Sequence, residues 1–179
     1  METSHGHLTY CTNIHAGESW ADHFQALKTN IPSVKKELSP DKPFAIGLRL
    51  SHLASLDLGK KENLEAFKHW LEKTQCYVFV INGFPYGGFH HTKVKDKVHA
   101  PDWTTQDRVL YTIQLFNILS AILPQGMEGG VSTSPLSYKH WHSSVKEERQ
   151  QAFETATENI LKVVQDLIGI KESTGQVMH

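Results

Sequence analysis

The run Cys76-Tyr-Val-Phe-Val-Ile-Asn82 decides the fold, because it is the most β-rich stretch of the chain and carries no charge. Working back from it, Phe44-Ala-Ile-Gly-Leu-Arg-Leu-Ser51 reads as a second strand, and Leu8-Thr-Tyr-Cys-Thr-Asn-Ile-His15 as a shorter first one. Between these runs the apolar period lengthens. Trp20, Phe24, Leu27, Ile31, Val34 and Leu38 recur at helical spacing, with Pro32 expected to kink or split that helix and Asn30 as a second cap. Leu64, Phe67 and Leu71 mark the next helix. Working forward, Gly83 to Trp103 is neither helix nor strand, and its aromatic residues argue against disorder. A nearly all-apolar helix follows, opening at Thr104-x-x-Asp107, carrying Val109, Ile113, Phe116 and Leu123, and ending at Pro124. Residues 127–133 read as a weaker fourth strand. Ser144-x-x-Glu147 is a capping box for a helix that turns Phe153, Ala156, Ile160, Val163 and Leu167 inward and stops at Gly169. Val177-Met178-His179 resembles the start of a fifth strand.

The order is (βα)₄ plus the start of a fifth strand, an α/β pattern that requires a parallel sheet with right-handed crossovers. Neither G-x-G-x-x-G nor G-x-x-x-x-G-K-[ST] occurs, which removes the main support for dinucleotide and P-loop folds. Four units in 179 residues give about 45 residues each, and eight such units fit the size range of a TIM (β/α)₈ barrel. The expectation is one domain over 1–179, the N-terminal half of a barrel and a fragment of a longer chain.

Composition narrows the function classes. Eighteen Lys and Arg against 19 Asp and Glu leave a net charge of −1, which argues against a nucleic-acid or anionic-membrane binder. No apolar run approaches a membrane span, and the polar start is no signal peptide. Cys11 and Cys76, both in apolar runs, read as buried thiols of a reducing, cytoplasmic protein.

Strand alternation places Cys11, Asn13 and His15 on one face of the first strand, and Ala45, Gly47, Arg49 and Ser51 on the small and polar face of the second. Val78, Val80, Asn82 and Phe84 share a face of the third; Glu128, Gly130, Ser132 and Ser134 one of the fourth. Singly these are ordinary rim residues. Their coincidence at the C-terminal ends of four strands points to a ligand site, as barrels build theirs there. The loop Asn82-Gly-Phe-Pro-Tyr-Gly-Gly-Phe-His90 adds aromatic walls (Phe84, Tyr86) and glycines suited to close approach of a ligand. The expected ligand-binding set is therefore Asn13, His15, Arg49, Asn82, Phe84, Tyr86, His90 and Ser132. Arg49 is expected to meet an acidic side chain of the absent half or an anionic or hydroxyl-rich group of the ligand. Twelve histidines form no convincing metal motif; His5 and His7 read as solvated and His69 as surface. Ser132 and Ser134 lie in no G-x-S-x-G elbow, and paired carboxylates for acid–base work are not visible.

Taken together, TYCTNIHAGE at 9–18, NGFPYGGFH at 82–90, VKDKVHAPDW at 94–103 with Arg108 and Tyr111-Thr112, and STSPLSY at 132–138 resemble the EboE family. The resemblance runs in order from about residue 8 to 141. It implies a xylose-isomerase-like TIM barrel in a longer chain, and a role in moving a small metabolite alongside proteins of the same gene cluster. The wider superfamily implies a divalent metal (Zn, Mn or Mg) in the full-length barrel, with His15, His90 and His91 as the contributors this half could offer. The alternative function is a metal-dependent isomerase, epimerase or lyase acting on a sugar or polyol.

Overall fold

A computed structural model describes residues 1–88, 95–142 and 145–179. Its centre is a four-stranded, all-parallel sheet of β3 (Tyr10–Cys11), β4 (Phe44–Arg49), β5 (Cys76–Asn82) and β6 (Gly130–Ser132), hydrogen-bonded in chain order. Met178 pairs in parallel with Gly129, so the final residues add to the outer edge of β6. The helices are α1 (Trp20–Leu38), α2 (His52–Leu58), α3 (Lys61–Lys73), α4 (Gln106–Ile122) and α5 (Lys146–Thr174).

The α/β expectation holds, and the strand order has no reversal of the kind that creates a crevice in doubly wound sheets. Both faces of β4 are buried throughout, as in a parallel sheet covered on each side. Phe44, Ile46, Leu48, Val78 and Ile81 join the helices in one core. The opposite face of β5 carries Tyr77, Phe79, Val80 and Asn82, all only partly covered.

Several local expectations are corrected. The first strand is two residues long rather than eight. Beyond Cys11, the Thr12 hydroxyl accepts from Arg49 N (2.8 Å) and donates to Gly47 O (3.2 Å), taking the groups a longer ladder would use. Residues Thr12–Ile14 then turn as a 3₁₀ helix, so Asn13 and His15 leave the sheet. The second strand ends at Arg49, and Ser51 instead caps α2, its hydroxyl accepting from Ala54 N. In β5 the register shifts between the pairs Ala45–Tyr77 and Gly47–Val80. This bulge puts Val78 on the helix side, away from Val80 and Asn82. The fourth strand shrinks to Gly130–Ser132, leaving Ser134 buried beyond its end.

Helix α1 is continuous through Pro32, held by Leu27 and Ile31 against the core, while the Asn30 amide donates to Ala26 O (2.8 Å) instead of capping. A capping box the sequence reading overlooked, Ser19 with Asp22, opens it. The preceding turn needs Gly17, whose φ is +143° and whose Cβ would meet Asp22 at 2.8 Å. Likewise α5 runs past Gly169 to Gly175, a left-handed terminator with φ of 75°. Ser144 of its expected capping box lies outside the described residues. Ala156 and Val163 do face inward, but Phe153 is 56% exposed and Ile160 37%.

The N-terminus also departs from expectation. Glu2–Thr3 (β1) and Gly6–His7 (β2) form an antiparallel hairpin over the partly covered face of β5. His7 Nδ1 lies 2.8 Å from the Tyr77 hydroxyl, and its ring meets Phe79 edge-on at 5.6 Å.

Candidate functional site

The C-terminal ends of the strands gather the described parts of three connections: residues 12–19 after β3, 83–88 and 95–105 after β5, and 133–142 after β6. Their geometry separates the expected ligand residues into two groups.

Asn82 and Ser132 remain together at an accessible surface. The Asn82 side-chain oxygen accepts from the Ser132 hydroxyl (3.0 Å) and from Phe84 N (3.1 Å). Asn82 is half-buried and Ser132 exposed. Asn13 lies apart from them, its side-chain oxygen accepting from the Cys11 thiol (3.2 Å), and that thiol is exposed rather than buried as expected. His15 packs beside Tyr10, Nε2 to hydroxyl 3.1 Å, and burial lowers its pKa.

Arg49 is 1% exposed, and both terminal nitrogens of its guanidinium bond within the chain. Its Nη1 donates to Gly17 O (3.1 Å), and Nη2 to Gly87 O (2.8 Å) and Glu18 Oε1 (3.4 Å). It therefore clamps the connection after β3 to the connection after β5, and its terminal nitrogens meet protein groups of this chain. Gly83 is also occupied by protein: a Cβ there would meet Leu115 at 2.7 Å and Ser132 O at 3.0 Å, whereas one at Gly87 would meet nothing within 4 Å.

Tyr86 stacks on His52 (4.5 Å), meets Tyr111 edge-on (4.9 Å) and lies 5.6 Å from the guanidinium of Arg108. Phe84 stacks on His99 at 5.9 Å. Both rings pack on neighbouring aromatic side chains and stay partly exposed. His90 and His91 lie outside the described residues.

Sequence reasoning took Arg108 and Tyr111 only as part of a resemblance. Arg108 is wholly buried, donating from Nε to Pro101 O and from Nη1 to Gly83 O, each at 2.9 Å. Burial lowers its pKa, while burial raises that of Tyr111, whose hydroxyl donates to Leu50 O. An arginine inside a helical run gave no signal of this pairing with a distant loop.

No family model, curated protein or solved structure matches the chain.

Among the described residues no three His, Cys, Asp or Glu side chains are arranged to hold a metal ion. Of the contributors that the resemblance implied, His15 is described beside Tyr10, while His90 and His91 lie outside the described residues.

A cavity of about 660 Å³ lies elsewhere, between the hairpin and the N-terminal ends of the strands, lined by Met1, Glu2, His7, Pro43, Tyr77 and Met127. Parallel α/β sheets place their chemistry at the opposite end. At that end a cavity of about 120 Å³ is lined by Leu136, Ser137, Lys139, His142, Arg149 and Phe153. Ser137 was not among the expected residues, because no motif surrounds it.

Proposed function

We propose that this chain is the first half of a xylose-isomerase-like (β/α)₈ barrel of the EboE type, binding a small metabolite at its C-terminal rim. One observation supports the reading above the rest. The parallel strands follow chain order, and the accessible Asn82–Ser132 pair sits at their C-terminal ends on the face turned from the helices. Chain-order pairing of parallel strands is what a barrel wall repeats, which supports the reading. An amide and a hydroxyl already sharing a hydrogen bond offer donors and acceptors to the hydroxyls of a sugar or polyol. The partners proposed are that metabolite and the proteins of its gene cluster. A cytoplasmic setting suits the free thiols of Cys11 and Cys76, and no described helix is long and apolar enough to cross a membrane.

The test is calorimetric titration with a panel of pentoses and linear polyols, run with and without Mn²⁺. The proposal expects a saturable heat with at least one of them, lost in Asn82→Ala/Ser132→Ala at unchanged melting temperature. Binding that survives the double substitution would move the site away from the rim pair, and turnover seen only with metal would favour an isomerase.

A further inference from the structure

The hairpin of β1 and β2 and the N-terminal ends of the strands enclose a cavity of about 660 Å³, a size suited to small-molecule sites. Met1, Met127 and the ring of Tyr77 give it apolar walls. Its lining also holds one carboxylate side chain, Glu2, and one ammonium side chain, Lys42.

The backbone that carries these two charges is braced. His7 Nδ1 lies 2.8 Å from the Tyr77 hydroxyl, which ties the hairpin to β5. The Thr3 hydroxyl donates to Gly6 O (2.8 Å) across the hairpin turn. Before β4, the Ser39 hydroxyl donates to Lys42 O (3.2 Å) and Lys35 Nζ to Ser39 O (3.2 Å), so the turn that presents Lys42 is held to α1. Burial raises the pKa of Tyr77, and the nearby Glu2 carboxylate adds to the rise, which places that carboxylate on the tyrosine side of the cavity.

Among the described residues neither charge has an oppositely charged partner within 4 Å, and the two do not pair with each other. An anion or a cation alone would meet one attractive and one repulsive charge here, and an uncharged sugar would meet no complement to either. A zwitterion with an apolar body satisfies both charges and the walls together. Parallel sheets place their chemistry at the opposite end of the strands, so the role of this cavity is binding without turnover.

We propose that this cavity binds apolar α-amino acids and their dipeptides, with the ligand ammonium on Glu2, its carboxylate on Lys42 and its side chains against Met1, Met127 and Tyr77. Both protein charges are exposed, so they orient the ligand more than they tighten it, and burial of its side chains supplies most of the affinity. The inference is independent of the metabolite-binding proposal, since Asn82 and Ser132 lie at the other end of the strands.

The experiment is calorimetric titration of the purified 179-residue chain with leucyl-leucine, with its N-acetyl form, which lacks the ammonium, and with its amide, which lacks the carboxylate. A saturable heat with leucyl-leucine is expected, weakened about two- to fivefold in Glu2→Gln and again in Lys42→Met, the scale of a partly exposed ion pair. The N-acetyl form should lose nothing in Glu2→Gln, nor the amide in Lys42→Met. Asn82→Ala/Ser132→Ala should bind the dipeptide like the parent. The proposal is overturned by the absence of a saturable heat at millimolar dipeptide, or by binding that ignores both charge substitutions. It is equally overturned by binding lost instead in Asn82→Ala/Ser132→Ala or in Phe153→Glu/Val164→Glu, which would place the dipeptide at the rim or on α5. Should a charge variant melt early, the parent chain decides alone: it must bind leucyl-leucine more tightly than either blocked form.

Discussion

Arg49 Nη2 donates a 2.8 Å hydrogen bond to the carbonyl oxygen of Gly87, while Nη1 of the same guanidinium holds Gly17 O at 3.1 Å. Two carbonyls from separate connections share one fork, and a guanidinium suits that geometry better than an ammonium. Arg49→Met should lower stability by about 1–3 kcal/mol for each carbonyl left without its donor. Arg49→Lys, which keeps the charge but not the fork, should fall between it and the parent. Urea melts of the three proteins check this; equal midpoints would mean that water replaces the clamp without loss.

Tyr86 is a packing residue by the same standard. Its ring is enclosed by His52, Tyr111 and Arg108. Removing it in Tyr86→Ala should cost about 2–3 kcal/mol, below the loss for a wholly buried aromatic because Tyr86 is only half-buried. Tyr86→Phe should stay within about 0.5 kcal/mol of the parent. If Tyr86→Ala melts like the parent but loses a ligand, the ring belongs to a binding pocket after all.

Acid should weaken the fold through particular histidines. Burial lowers the pKa of His15 and His52 below the ordinary value of 6.5. The unfolded chain therefore binds protons that the folded chain refuses. Their contribution is full above pH 6.5 and is lost as the pH falls through 6.5 toward the lowered values. His52→Phe keeps a ring stacked on Tyr86 and removes one of these groups. The difference in urea midpoint between pH 7.5 and pH 5.5 should shrink in that variant, and an unchanged difference would assign the acid sensitivity to other groups.

Helix α5 shows solvent a second apolar stripe, with Phe153 56%, Leu161 53%, Val164 41% and Ile168 52% exposed. A patch of that kind promotes association in water. Sedimentation of the chain should show weight-average mass rising with concentration, with binding of an apolar-surface dye. Phe153→Glu/Val164→Glu should reduce both without lowering the melting temperature. A monodisperse monomer that binds no dye would contradict the prediction.

The strands β4 and β5 were legible because long apolar runs bounded by turn residues admit few other readings. Asn82 and Ser132 were each legible as polar residues at the C-terminal ends of neighbouring strands, and the register pairs them directly. The bulge at Val78–Val80 was not legible, because every residue there is apolar and alternation leaves no mark. Asn13 and His15 were misplaced because a single hydroxyl, that of Thr12, ends the ladder. A hydrogen bond made by one threonine has no periodic signature. Nor did the N-terminal hairpin, made of polar residues, show any apolar period. Glu2 and Lys42 share a cavity only because that hairpin folds back over the sheet, which no local spacing reports.

The Arg49 clamp also bears on how the molecule comes apart. In a sheet paired in chain order, each strand bonds only its sequence neighbours, which favours piecemeal opening. Arg49 belongs to the second β–α unit but fastens the connection after the first to the connection after the third. Those three units are thereby coupled, so their amides should exchange with solvent as one cooperative block. The long helix α5 stands outside that block, held by Ala156, Val163 and Ile170 in the core and by Asn159 donating to Trp103 O (2.9 Å). Its amides are the ones free to open first, leaving β4 and β5 still protected behind the arginine.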